Sequence, residues 1–136
     1  MNAQQAVALA AAGGFVLIVA FQVALVLGAP FGAAAWGGAI PGPLPANLRI
    51  ASAIAGAVWS GAALIVLSRA GFDVVPLPAG LTWWGTWILA GLLIVGAAMN
   101  VASASPWERY GWGPFALVLA ALCFVVARTP ATAPSA

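Results

Sequence analysis

Histidine and lysine are absent from this 136-residue chain, and each absence removes a class of chemistry. Without histidine there is no imidazole base, no imidazole proton relay, no haem ligand of that type and no His-containing zinc site. Without lysine there is no Schiff base. Cys123 is the single cysteine, so an intramolecular disulfide cannot form. Charge is scarce as well: Arg49, Arg69, Arg109 and Arg128 face only Asp73 and Glu108. Four scattered cations make no basic patch, and no nucleic-acid partner is expected. With 65% hydrophobic residues, the chain lacks the polar surface that a soluble domain needs.

What fills the sequence instead is four long apolar runs, at about residues 4–27, 48–67, 81–101 and 115–127. A bilayer core of about 30 Å requires about 20 apolar residues at a 1.5 Å rise per residue. Three runs meet that length, and the fourth does so with the turn upstream of it. The first run has no basic leader and is longer than the apolar stretch of a secretory signal, so it is expected to be retained. The resulting expectation is an all-α integral membrane protein, a four-helix up-down-up-down bundle of residues 1–128. Its helices should span about 4–28, 47–70, 81–102 and 106–128, with a disordered Pro/Ala/Ser tail over 129–136.

Glycine and proline set the boundaries. Gly28-Ala29-Pro30 stops the first helix, and Asn47 reads as the N-cap of the second. The connection between them holds Gly32, Gly37, Gly38, Gly42, Pro41, Pro43 and Pro45, which rules out regular helix. Phe31, Trp36, Ile40 and Leu44 make it too apolar to float in water, so it should fold back as an ordered cap on the bundle mouth. Ser105-Pro106-Trp107-Glu108 reads as a capping box, with Ser as N-cap, Pro at N1 and Glu at N3. Beyond it, Gly111–Pro114 implies either a short interfacial helix or a fourth span that starts at Ser105 and kinks near Pro114. No internal repeat supports an inverted-repeat transporter.

Antiparallel connections place the Gly/Pro loop and residues 102–112 on one membrane face. That face gathers Asn47, Arg49, Asn100, Ser103, Ser105, Glu108, Arg109 and Tyr110, with Trp36, Trp107 and Trp112. Trp36, Asn100, Ser103, Glu108, Arg49 and Arg109 are the candidate ligand-binding residues; no catalytic or metal-binding set and no cofactor is expected. Two readings of this cluster stand side by side. It is a polar pocket roofed by the loop, or Asn100 and Ser103, three apart on one helix face, bond to loop carbonyls and hold the cap down. Glu108 and Arg109 have an equally plain reading as helix cap and headgroup contact, against a Glu108–Arg49 pair across the hairpin ends.

Within the spans, Gln22 is the one strongly polar residue at depth and reads as an interhelical hydrogen-bonding group. Ser52, Gly56 and Ser60 form a small-residue stripe suited to packing inside the bundle. Trp59 lies far from both interfaces, so its N–H needs a buried partner or a ligand. On the opposite face, Trp83, Trp84 and Trp87 form an aromatic belt, and Arg69 and Asp73 read as flanking charges. The arginines divide two and two between the faces, and only the terminal amine favours both termini inside.

The loop Gly28-Ala29-Pro30-Phe31-Gly32 with Trp36-Gly37-Gly38, then Leu44-Pro45 and Leu48-Arg49, resembles a family of small uncharacterised four-span bacterial membrane proteins. The later segment Asn100-x-x-Ser103-x-Ser105-x-x-Glu108-Arg109, then Trp112-x-Pro114, is similar to the same pattern. The resemblance implies the bacterial inner membrane and carries no activity. Small multidrug-resistance exporters resemble the chain in length, but they rely on a first-span glutamate where this chain has only Gln22. Fluoride channels resemble it in size, yet their Gly/Thr/Ser/Phe-rich third-span motif is missing here. The expected function is therefore non-enzymatic: holding an apolar or lipid-like ligand, or serving as an accessory subunit. Expected partners are membrane lipids and a larger membrane complex or a second copy. The alternative is a small oligomeric transporter or channel lined by Gln22, Asn100 and Ser103. An enzyme using Glu108 with Ser103 or Ser105 has the least chemical support.

Overall fold

In a computed structural model describing residues 1–130, Asn2 and Gln5 open the first helix with a reciprocal cap. The Asn2 carbonyl oxygen Oδ1 accepts the Gln5 N–H at 2.8 Å, and Gln5 Oε1 accepts the Asn2 N–H at 3.1 Å. Helix α1 covers Ala3–Val26 and gives way at Gly28, whose φ of 91° suits a residue without Cβ. Helix α2 covers Ala46–Arg69, α3 covers Ala79–Ala102 and α4 covers Gly113–Arg128. All four spans are long and apolar enough to cross a membrane, the last one counted from Glu108. They pack antiparallel, α1 mainly on α2 and α3 mainly on α4. The chain is thus an all-α, four-span integral membrane protein, as its hydropathy predicts. The tail foreseen over 129–136 lies outside the described residues from position 131 onward.

Alanine dominates the core because lipid supplies no hydrophobic drive between helices, and close approach must supply dispersion instead. Ala11, Ala62, Ala90, Ala97 and Ala120 surround Phe15, Leu93 and Leu119, and Cys123 sits among them as a small core residue. Ser52 and Gly56 are buried, and a Cβ added at Gly56 would lie 3.6 Å from Gln22 Cβ, so the stripe serves the α1–α2 contact. Ser60 departs from it: the residue is exposed, with its hydroxyl donating to the Gly56 carbonyl at 2.8 Å.

Three boundary expectations change. Pro45, not Asn47, occupies the N-cap of α2, and Asn47 is exposed in the first turn. The fourth span does start just after Ser105, but it widens instead of kinking. Glu108–Trp112 forms a π-turn, and the Gly113 N–H reaches back five residues to the Glu108 carbonyl. Pro114 has no N–H to continue the normal ladder, which favours the widened turn. Third, Arg69 is not a simple flanking charge. It is 6% exposed, and its Nη2 donates to the carbonyls of Ala127 at 3.2 Å and Thr129 at 2.9 Å. These lie at the C-terminal end of α4, where orphan carbonyls and the helix dipole both favour a cation. Asp73 is exposed, as expected of a flanking charge. Trp83 and Trp84 form an exposed edge-to-face pair at 4.6 Å, while Trp87 turns inward onto Phe124 at 5.5 Å.

The Gly/Pro loop is an ordered cap. Two short 3₁₀ turns, Gly32–Ala34 and Trp36–Gly38, build it, and the Gly32 N–H donates to the Gly42 carbonyl at 3.1 Å to close its base. Ala35 and Leu44 plug it into the bundle beside Leu25. Ser105 fastens it from the other hairpin: its hydroxyl donates to the Ala33 carbonyl at 2.6 Å and accepts the Glu108 N–H at 3.3 Å. Ser105→Ala removes both bonds and should lower stability by about 1–2 kcal/mol. Thermal unfolding in detergent measures this, and an unchanged midpoint would refute the role of Ser105 as a fastener.

Candidate functional site

Beneath the cap, all four helices part around a cavity of about 270 Å³. Its walls are mostly aromatic and small: Phe21 from α1, Trp59 from α2, Gly96 from α3, Trp112 and Phe115 from the fourth span, and Trp36 from the loop. The rings brace one another. Trp59 stacks on Phe15 with centroids 5.7 Å apart, and Trp112 meets Phe21 at 4.8 Å and Phe115 at 5.7 Å. Gln22, Asn100 and Glu108 bring polar groups to this lining.

Three successive left-handed residues shape the roof, Trp36 at φ 52°, Gly37 at 83° and Gly38 at 72°. Glycine takes this conformation freely; tryptophan does so at a cost of roughly 1–2 kcal/mol. The Trp36 indole is held there by its Nε1–H donating to Ser52 Oγ at 3.0 Å, which ties the loop to α2. The turn aims the Gly37 N–H at Glu108 Oε1, 3.0 Å away. Glu108 is 7% exposed, and its Oε2 accepts a hydrogen bond from the Ser103 hydroxyl. Ser103 Oγ in turn accepts the Ser105 N–H at 3.1 Å.

This network revises the capping-box reading. Ser105 does cap the Glu108 N–H, but the Glu108 side chain does not return to the Ser105 backbone; it crosses 71 residues to the loop. The proposed hold-down by Asn100 and Ser103 changes too. Ser103 is the C-cap of α3 with an extended backbone, so the two do not share a helix face, and Ser105 makes the bond to the loop carbonyl. Asn100 lines the cavity, with no side-chain hydrogen bond among the described residues.

The two candidate arginines lie outside the cavity lining. Arg49 is exposed and its Nε donates to the Val26 carbonyl at 2.7 Å, which satisfies the end of α1 and leaves no pair with Glu108. Arg109 is exposed and donates from Nη2 to the Ser103 carbonyl at 2.8 Å. Of the six candidates, Trp36, Asn100 and Glu108 therefore meet at the cavity, and Ser103 reaches it only through Glu108.

Gln22 is the residue whose reading changes most. It makes no interhelical bond; the residue lines the cavity, while its Oε1 is enclosed by protein without a hydrogen-bond partner. Trp59 also lines the cavity and has no partner for its N–H among the described residues, which its position far from both interfaces had signalled. A second, more open groove of about 320 Å³ runs along the outside between α1 and the π-turn. It shares Phe21, Ala34, Trp112 and Phe115 with the cavity and extends to the exposed Trp107. The cavity and the groove thus adjoin along these shared rings. No group of three His, Cys, Asp or Glu residues able to hold a metal ion occurs among the described residues. Comparison with known protein families, curated proteins and solved structures finds no match.

Proposed function

We propose that this four-span protein is a non-enzymatic binding protein that holds a small, mainly apolar ligand in the cap-side cavity. The observation that carries this reading is the cavity itself, walled by rings from the helices and the loop and bordered by Gln22, Asn100 and Glu108. Atoms on the wall of an apolar pocket lack dispersion partners on the side that faces the space. A ligand with an apolar body supplies those contacts, and Asn100, which makes no side-chain hydrogen bond among the described residues, offers it a polar partner. The shared aromatic wall offers such a ligand a lateral route from the bilayer through the outer groove.

Native intact-mass measurement of gently extracted protein tests this directly. A stoichiometric small-molecule adduct is expected on the wild type and none on Gly96→Leu. Gly96 lines the cavity and an added Cβ there meets nothing within 4 Å, so leucine should fill the space. Replacing a mid-helix glycine should also leave stability equal or higher by about 1 kcal/mol. A bare wild-type chain, or an adduct that survives Gly96→Leu, would overturn the proposal. Partner subunits in place of a small adduct would make the chain an accessory subunit instead.

A further inference from the structure

We infer that the cavity selects a small organic cation, an alkylammonium group, with the Glu108 carboxylate and the surrounding rings as its recognition elements. This rests on the reading of the cavity as a ligand site and names what that site prefers.

Glu108 is one of only two acidic residues in the chain and is the buried one. A buried carboxylate is stable only when its charge is compensated. Two hydrogen bonds, from the Gly37 N–H and the Ser103 hydroxyl, supply part of that compensation. Neither comes from a cation. Arg109 and Arg49, the two arginines at this mouth, are exposed and donate to the Ser103 and Val26 carbonyls, and no ion pair to Glu108 occurs among the described residues. The chain has no lysine or histidine that could take their place.

The countercharge can therefore come from a ligand, and the rest of the lining matches one. Indole and phenyl faces attract cations through their ring quadrupoles, and cages of such rings are a recurring solution for quaternary ammonium groups. Trp36, Trp59, Trp112, Phe21 and Phe115 all line the space that Glu108 borders. Its volume of about 270 Å³ lies just below the usual range of roughly 300–1,000 Å³ for ligand pockets, which suits a compact ammonium group and not a whole phospholipid. The cation could be a free amine or the terminal group of a lipid headgroup; the recognition chemistry is the same.

The test is a titration of the purified full-length protein in phosphatidylglycerol nanodiscs, read by tryptophan emission. Choline is compared with 3,3-dimethylbutan-1-ol, its uncharged carbon isostere. The wild type should bind choline at least about tenfold more tightly than the isostere. Glu108→Gln should abolish that preference while keeping the isostere's affinity, since its amide can still accept from Gly37 and donate to Ser103. Trp59→Leu, which leaves the loop network untouched, should narrow the preference independently. Equal binding of both probes overturns the cation inference and leaves the ligand site standing. Binding of neither probe overturns the cation inference too, and the adduct measurement with Gly96→Leu then decides the ligand-site reading separately. Where choline binds, phosphatidylcholine discs identify the source: a tenfold weaker choline response assigns the occupant to a lipid headgroup, and an unchanged response assigns it to a soluble amine.

Discussion

Glu108→Ala should lower the stability of the protein by about 3 kcal/mol, the largest expected loss from any single polar side chain at the mouth. The carboxylate accepts from Gly37 in the loop and from Ser103 at the end of α3, so one side chain joins three segments. Hydrogen bonds to a charged acceptor contribute about 1.5–3 kcal/mol each, and alanine removes both while leaving the space empty. The apparent Tm in detergent should fall by on the order of 10 °C. Amide exchange should rise selectively across the loop, because Gly37 loses its acceptor, while the core of α1 and α2 stays protected. Glu108→Gln should recover most of this loss. If alanine leaves both Tm and loop exchange unchanged, Glu108 is not the clamp.

Gly32→Ala should be more damaging still, and for a reason unrelated to backbone conformation. A Cβ at Gly32 would collide with the Ile40 carbonyl oxygen and lie 2.6 Å from the Gly42 carbonyl oxygen. Both atoms are backbone, so no rotamer change relieves the contact, and the Gly32–Gly42 hydrogen bond that closes the loop must break as well. The expected loss exceeds about 4 kcal/mol, enough to collapse the yield of monodisperse protein on size exclusion. Gly42→Ala is the control: an added Cβ there meets nothing within 4 Å, and its effect should stay within about 0.5 kcal/mol. Equal behaviour of the two variants would refute close packing at Gly32.

These two residues show what each level of description can decide. Gly32 sits in a loop that composition alone marks as irregular and too apolar for water, and its ordered cap could be anticipated from that. Which glycine tolerates a side chain could not. Gly32 and Gly42 look alike in sequence; only the fold brings the Ile40 carbonyl against one of them. Glu108 offered a local partner in Ser105, and the local reading was half right, since Ser105 does cap its N–H. Its carboxylate went to Gly37 because the antiparallel bundle sets the two hairpin ends side by side, a neighbour no sequence window contains. Arg69 repeats the lesson at the other mouth, where charge and position suggested an ordinary flanking charge and the carbonyls at the end of α4 took the guanidinium instead.

By itself the sequence determined the number of spans, their lengths to within a few residues, their antiparallel order and the face on which the polar residues gather. Those properties follow from summed apolarity against a fixed bilayer thickness and from the backbone limits of glycine and proline, both local quantities. Only the tertiary structure decided that Gln22 stays unpartnered, that Trp59 and Trp112 wall a cavity, and that Arg49 and Arg109 remain outside it. The reason is that a cavity belongs to no segment. It is the space four helices fail to fill, set by side chains that chain distance keeps apart and packing brings within a few ångströms.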